Sequence, residues 1–396
     1  MNALKQITSI AAMNLRSIPQ RLGTSSVIVI GIAGVVAVLL SVLAMATGIL
    51  HTMAATGRAD RAIVMRAGST AELNSSVSRA AAVTIMDAPG IKHDAAGKAI
   101  GSAESLTLMN VPTENGKSWA NVTVRGVGPA LLALRPEMHF VQGRMLRPAV
   151  HEFIVGTKAN TQFDALKLGQ HVKFANGEWT LVGVFSSGGD GHESEVFADA
   201  DTMMSAVRRD GYQPVTVLLE SPDRFDAFKT ALTTNPALSV DVKRESDYFA
   251  EQAKPIGRIL SIVAYVVGGI MAIGALFGAL NTMYSAVSAR TVEIATLRAL
   301  GFGSGAVVVS VFVEALLLAL IGGALGGVLA WLFFDGHVIS TSAAGNGITQ
   351  VVFALAVTPA LLAVGVTWAC FIGLIGGLFP AVRAARLPVA TALRAV

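Results

Sequence analysis

The sequence predicts a membrane protein of four transmembrane α-helices with a large α+β extracytoplasmic domain between helices one and two. Three observations lead there. Hydrophobic residues make up 53% of the 396 and charged residues 14%, and mean hydropathy is +0.60, whereas an ordinary soluble domain is about 25% charged. The apolar residues gather into four runs long enough to cross lipid. The charges gather elsewhere: residues 58–258 hold 22 Lys+Arg and 23 Asp+Glu, and the rest of the chain only 8 and 3. The net charge of +4 therefore comes from cations beside the apolar runs, where they orient a chain in a bilayer. It does not form a nucleic-acid-binding patch on a folded domain. A single cysteine, Cys370, excludes a disulfide framework and a cysteine zinc site, and the seven histidines are scattered singly.

A spanning helix needs about 20 apolar residues at 1.5 Å each to cross roughly 30 Å of hydrocarbon. Residues 22–50, 259–285, 306–334 and 351–378 qualify; Glu314 is the one charge inside them. The first run is too long for the core of a cleaved signal peptide, about 7 to 15 residues, and is read as a retained anchor. Lys5, Arg16 and Arg21 precede it, Arg290 and Arg298 lie in the 286–305 link, and Arg383, Arg386 and Arg394 lie in the 379–396 tail. The 335–350 link has no Lys or Arg. Cation bias then places both termini and the 286–305 link in the cytoplasm, and residues 51–258 and 335–350 in the periplasm. Over residues 1–21, Leu4, Ile7, Ala11, Leu15 and Ile18 recur at helical spacing before Pro19, which suits an amphipathic interfacial helix or a frayed tail.

The 51–258 segment reads as two α/β units, 58–145 and 210–245, flanking a β-rich insert over 146–209. Strands are expected near 62–66, 99–109, 119–127, 215–220 and 238–243, with helices over 76–86 and 223–232. Asn176-Gly177 between two alternating runs predicts a hairpin with those two residues at its turn. No repeat of 20–50 residues is visible.

Motifs for chemistry are few. Gly116-Lys117-Ser118 resembles the end of a phosphate-binding loop, but Val111 stands where that loop needs glycine. Gly188, Gly189, Asp190, His192 and Glu193 read as a mobile tip of the insert, with no rigidity for a metal. If that loop functions, it contacts a partner protein. No catalytic, cofactor-binding or metal-binding residue is assigned.

The most informative segment is the link Arg290-Thr291-Val292-Glu293-Ile294-Ala295-Thr296-Leu297-Arg298-Ala299-Leu300-Gly301. Charges interleaved with Val292, Ile294, Leu297 and Leu300 fit a short amphipathic helix with Gly301 as its C-cap, or an ordinary interhelical loop. This segment resembles the coupling helix of the FtsX/MacB-type (type VII) ABC transporter permeases. The tail Pro380-Ala381-Val382-Arg383-Ala384-Ala385-Arg386-Leu387-Pro388 with Ala392-Leu393-Arg394, and Asn14-Leu15-Arg16-Ser17-Ile18-Pro19-Gln20-Arg21-Leu22 before span one, are similar to the same family. So is the order of one span, a large external domain and three spans.

The resemblance implies a non-catalytic permease dimer in the bacterial inner membrane. It further implies two copies of a separate ATPase subunit, which would bind the ATP and Mg. This chain itself would hold no cofactor. Arg290, Glu293, Ile294, Leu297, Arg298 and Gly301 would form the ATPase-coupling surface. A second, identical permease copy is expected, and for export a periplasmic adaptor and an outer-membrane duct. Within the family, lipoprotein release of the LolC/LolE type and FtsX-like regulation of cell-wall hydrolases remain alternatives.

The spans are too apolar to advertise a wet path, because each charge within one costs about 2.5–3.5 kcal/mol on insertion scales. A conducting channel is thereby disfavoured, and mechanical transmission is the mechanism expected. Glu314 is expected to pair with Asn281 or Ser285 of span two, or to snorkel to the inner interface. Gly322/Gly326, Gly323/Gly327, Gly274/Gly278 and Gly373/Gly377 are spaced for close helix approach in a paired membrane core.

Overall fold

A computed structural model describes residues 6, 13, 22–112, 119–340 and 352–386. The amphipathic segment expected over 1–21, the Gly116-Lys117-Ser118 turn, most of the 335–350 link and the tail beyond Arg386 lie outside those residues, Gln6 and Met13 excepted.

In chain order the elements are α1 (Leu22–Thr56), β1 (Arg61–Arg66), α2 (Arg79–Met86), β2 (Gly101–Ala103), β3 (Ser105–Pro112), β4 (Trp119–Val127), β5 (His139–Gly143), β6 (Glu152–Gly156), β7 (His171–Phe174), β8 (Gly177–Ser186) and β9 (Val196–Asp199). Then follow α3 (Ala200–Val207), β10 (Val215–Leu218), α4 (Phe225–Thr233), β11 (Val240–Arg244), α5 (Glu245–Ala289), α6 (Thr291–Ala299), α7 (Ser304–Phe334), β12 (Val338–Ser340), β13 (Val352–Ala354) and α8 (Pro359–Arg386). Two units result. One comprises Met1–Thr47, Gly257–His337 and Leu355–Val396, the other Gly48–Ile256 and Val338–Ala354.

In the first unit four helices, α1, α5, α7 and α8, are long and apolar enough to cross a membrane. Their shared core is built from Ile32, Val36 and Leu40 of α1, Ala279 and Met283 of α5, Val311 and Ala315 of α7, and Ala369 and Ile372 of α8. Lipid supplies no hydrophobic drive between helices, so close packing through small residues has to hold them. The glycine pairs do so within the chain. A Cβ on Gly326 would lie 2.6 Å from the Ala33 carbonyl oxygen of α1. One on Gly323 would lie 2.6 Å from Ala369 Cβ, and one on Gly373 2.4 Å from Ala319 Cβ. Gly274 and Gly278 instead face open space. Along α5, Ile259, Ile262, Val266, Ile270, Ile273 and Phe277 are each more than half exposed, a helical stripe suited to an apolar surrounding.

Both ends of the fourth span move relative to the expected 351–378. Val352–Ala354 pairs with β12 instead of starting a helix. The helix begins at Pro359, where Thr358 Oγ1 accepts from the Leu361 N–H at 3.3 Å, a hydroxyl cap before a proline whose missing N–H costs nothing in a first turn. The second span is likewise longer than 259–285, because α5 is a 45-residue helix, roughly 68 Å at 1.5 Å per residue.

In the second unit the described strands other than the β12–β13 pair form two sheets. The smaller has the order β11-β1-β10-β2 and is wholly antiparallel. Ala62 and Val64 of β1 face a core shared with Ile85 of α2 and Phe228 of α4. Ile63 and Met65, on the opposite face, meet Tyr248 and Phe249. Burial on both faces explains the unbroken apolar run of this strand.

The larger sheet has seven strands, ordered β3-β4-β9-β6-β8-β5 with β7 on β8. Trp179, fully buried, stacks between Phe153 and His151, each ring centroid at 4.5 Å. The division expected over 58–145, 146–209 and 210–245 is thereby corrected. The two α/β segments share one sheet, and the larger sheet starts at Ser105, because β4 pairs in parallel with β9 some seventy residues on. The expected hairpin forms one residue early. Phe174 pairs with Gly177, and Ala175, at φ 50°, occupies the turn beside Asn176.

Glu152 on β6 gives this unit a pH dependence. Its carboxylate accepts from Arg144 at 2.8 and 2.7 Å and from the Arg147 backbone and guanidinium at 2.7 to 3.1 Å. The Arg144 hydrogen bonds, then those from Arg147, hold it at about 2, below the ordinary 4.5. A carboxyl depressed in the folded state stabilises that state above the unfolded value and loses the contribution as pH falls. Thermal stability should therefore decline between pH 4.5 and 2, and Glu152→Gln should flatten that part of a melting-temperature profile. Parallel wild-type and variant curves would contradict the assignment.

Candidate functional site

The link helix α6 is the first site. Helix α5 ends at Ala289, and Arg290, with φ −103° and ψ 13°, turns the chain into α6. A paired C-cap closes α6. The Phe302 N–H reaches the Leu297 carbonyl at 3.1 Å and the Gly301 N–H the Arg298 carbonyl at 3.1 Å, with Gly301 at φ 93°. Both bonds satisfy carbonyls orphaned at the helix end, and the left-handed position is one that glycine adopts without strain. The amphipathic-helix expectation for this link agrees with the structure.

The two faces of α6 differ. Ile294 and Ala295 are buried against the bundle, while Val292, Glu293, Thr296 and Leu300 are exposed, Leu300 at 72%. Leu297 and Arg298 are half-buried. Arg290 is 5% exposed, and its Nη1 donates to Glu314 Oε2 of α7 at 3.0 Å. This corrects two expectations. Glu314 is paired with Arg290, while Asn281 and Ser285 lie on exposed positions of α5. Arg290 and Ile294 anchor α6 and are not part of its exposed surface. The turn at Arg290, between α5 and α6, brings its guanidinium to a carboxylate 24 residues away in sequence. Beside the pair, Met283, Ala286, Val287, Leu297 and Val311 help enclose a cavity of about 20 Å³, room for about one water.

The 188–193 loop is also corrected. Gly188 and Gly189 are exposed, at φ 78° and 84°, but Asp190, His192 and Glu193 are buried. Glu193 Oε1 accepts from Ser186 Oγ at 2.6 Å, Ser187 N at 2.8 Å and Gly189 N at 3.0 Å. Burial pushes that carboxyl up, and these hydrogen bonds outweigh it, so it sits below its ordinary value. The Gly191 N–H donates to Thr56 Oγ1 at 2.8 Å, and Lys158 Nζ holds the Gly189 and Asp190 carbonyls at 2.6 and 3.1 Å. The segment is a packed turn against the last residues of α1, and only its two glycines face outward.

Sequence reasoning missed two buried charge clusters in this unit. Arg125, 1% exposed, spends all five N–H donors on carboxylates: Nε and Nη2 on Glu195 at 2.7 and 3.0 Å, Nη1 and Nη2 on Glu72 at 3.0 and 3.1 Å, and Nη1 also on Glu104 at 2.6 Å. His192 Nδ1 lies 3.0 Å from Glu195 Oε2. Burial pushes Glu104 up against the pull of Arg125, and the Arg125 and His192 charges hold Glu195 well below its ordinary range despite its burial. In the second cluster Glu245, the first residue of α5, accepts from Arg135 Nη2 at 2.8 Å, Arg61 Nη1 at 3.2 Å and the Arg58 N–H at 3.1 Å. Arg61 also pairs with Glu137. Burial opposes ionisation of Glu245, and Arg135 and Arg61 prevail, so its carboxyl is lowered. The one local signal was Arg125 itself, a charge between apolar strand residues.

Four apolar helices with an α/β domain after the first, and a capped amphipathic link after the second, define a membrane-embedded helical protein with a large extramembrane domain. The MacB-like periplasmic core domain family matches residues 22–235, and the FtsX-like permease C-terminal family matches residues 265–389. The chain belongs to this MacB- and FtsX-like family of ABC transporter permeases, in agreement with the resemblance read from the link and the tail.

It is 28% identical over 211 residues to the uncharacterized ABC transporter permease YknZ of Bacillus subtilis (strain 168), covering 51% of this chain and 49% of that one. It is 28% identical over 237 residues to the macrolide export ATP-binding/permease protein MacB of Rhodopirellula baltica, covering 55% and 33%. The chain thus spans about half and a third of the length of these relatives. Among solved structures, the extracellular domain of YknZ aligns with a TM-score of 0.36 at 16% identity, covering 46% of this chain and 99% of that one. The periplasmic region of MacB from Actinobacillus actinomycetemcomitans aligns with a TM-score of 0.39 at 14% identity, covering 52% and 97%.

Proposed function

We propose that this chain is the non-catalytic permease subunit of an ABC export system, and that it passes ATP-driven movement from a cytoplasmic ATPase to its extramembrane domain. The observation that carries this reading is α5, one helix from Glu245 to Ala289 whose far end turns directly into α6. A helix transmits axial and tilting displacement along its hydrogen-bonded length. At one end Glu245 is held by Arg61 and Arg135, and at the other Arg290 is held by Glu314.

The exposed residues Val292, Glu293, Thr296 and Leu300 offer a docking surface for two copies of an ATPase subunit that binds ATP and Mg. Cation bias places that surface, with both termini, on the cytoplasmic side of the inner membrane, and residues 51–258 in the periplasm. Macrolide export, named for the MacB relative, supports efflux through an adaptor and an outer-membrane duct, with a second copy of this permease completing the dimer.

The test is reconstitution with the ATPase subunit. Glu293→Arg combined with Leu300→Glu should abolish co-purification and return ATP turnover to the rate of the ATPase alone, with the melting temperature of the permease unchanged. Turnover stimulated as in wild type would refute the docking surface. Capture of a lipoprotein carrier or a cell-wall hydrolase, in place of an adaptor, would redirect the assignment within the family.

A further inference from the structure

The extramembrane unit contains a cavity of about 370 Å³, within the range of about 300–1,000 Å³ typical of small-molecule sites. Its walls are apolar, with Ile49, Met53, Leu73, Leu106, Phe249 and Ala253 among them, and its lining includes two carboxylates but no Lys, Arg or His among the described residues. Those carboxylates belong to Glu72 and Glu195, the pair that clasps Arg125. Their side chains keep 10% and 14% exposure, against 1% for the guanidinium between them and none for Glu104 behind it. The surface shown to the cavity is therefore carboxylate, with the compensating cation recessed. Arg125 and His192, whose Nδ1 lies 3.0 Å from Glu195 Oε2, are absent from the lining, so the groups that meet the cavity are the two carboxylates.

A further lining residue points to a ligand independently. Thr123 is 2% exposed and lies two positions before Arg125 on β4, hence on the same strand face, and its hydroxyl makes no hydrogen bond among the described residues.

We propose that this cavity binds an organic monocation with an apolar body, its cationic head seated between Glu72 and Glu195 and its body against the walls formed by Met53, Leu106, Phe249 and Ala253. Thr123 supplies an oxygen that accepts from an ammonium or amidinium N–H. Burial holds Tyr248 well above its ordinary value, so it lines the cavity as a neutral phenol. A buried anion of the same shape would meet the carboxylates unpaired and pay their repulsion in a low-dielectric site. The site binds without ATP, so its occupancy does not depend on the transmission mechanism proposed above.

The experiment uses the full chain in nanodiscs of uncharged lipid, without ATPase or nucleotide. Rhodamine 6G, an apolar monocation, is titrated by fluorescence anisotropy against empty nanodiscs, with the anionic dye sulforhodamine B in a parallel series. Saturable binding of rhodamine 6G at one site per chain is expected, and none of sulforhodamine B. Ala253→Phe, which fills the cavity and leaves the charges in place, should weaken rhodamine 6G binding at least tenfold, as should Glu195→Gln. Ala71→Leu, at a half-buried lining position, provides a milder filling variant should Ala253→Phe fail to fold. No saturable component above empty nanodiscs, equal binding of the two dyes, or unaltered affinity in the folded filling variants would each overturn the site.

Discussion

Arg125→Met will destabilise the extramembrane unit by about 3–5 kcal/mol, the cost of removing one partner from a buried ion pair. The substitution retains much of the side-chain length, so the loss is electrostatic. Glu72, Glu104 and Glu195 would be left facing one another, none of them more than 14% exposed. Each has lost hydrogen bonds, and Glu104, with no exposure, cannot regain its own from water. At roughly 2–4 °C per kcal/mol for a domain of this size, the melting temperature should fall by about 6–20 °C. Adding Glu104→Gln should recover part of the loss, because that carboxyl is already the one burial pushes towards its neutral form. Melting curves of purified wild type, single and double variants decide the matter, and an Arg125→Met curve within a degree of wild type would contradict the account.

The second large effect concerns the anchor of the link helix. Arg290→Ala leaves Glu314, 5% exposed, without its guanidinium inside the bundle, again a loss of about 3–5 kcal/mol. The damage should spread to α6, since Ile294 and Ala295 pack on the bundle only while Arg290 holds the start of that helix. Glu314→Gln should be milder, because its amide oxygen still accepts from Arg290. The exchanged pair Arg290→Glu with Glu314→Arg should regain stability relative to either reversal alone. Proteolysis at the link, followed with thermal unfolding, reads the effect. Equal damage in the exchanged pair and the single reversals would show that the pairing contributes nothing.

The structure reads most like the sequence where a single stretch of chain carries the signal. Apolar runs announced four helices, because a span is defined by its own length and composition. The cap of α6 was legible as Gly301, and the hairpin near residue 176 as Asn176-Gly177, although the turn settled one residue earlier, with Ala175 in the left-handed conformation. Thr358-Pro359 was a start signal for α8 that the apolar run from 351 outweighed.

The features that were not legible all depend on partners distant in sequence. The three carboxylates on Arg125 come from residues 53 and 70 positions away on one side or the other and one 21 positions away, and Glu245 draws on Arg61 at a separation of 184. The 188–193 segment looked mobile because its glycines permit many conformations. It is packed because Glu193 gathers the loop N–H groups and Thr56 accepts from Gly191, contacts no local pattern encodes.

Composition and hydrophobic periodicity determined by themselves the four helices, among the described residues, that are long and apolar enough to cross a membrane, and where the α/β domain lies between them, since those properties are additive over neighbouring residues. Tertiary structure alone decided which strands share a sheet, that the glycines of α7 and α8 serve contacts inside one chain, that Arg290 is an anchor, and that two carboxylates front a cavity. Those outcomes depend on pairwise contact across long loops, where the free energy resides in geometry that appears only after the chain has closed upon itself.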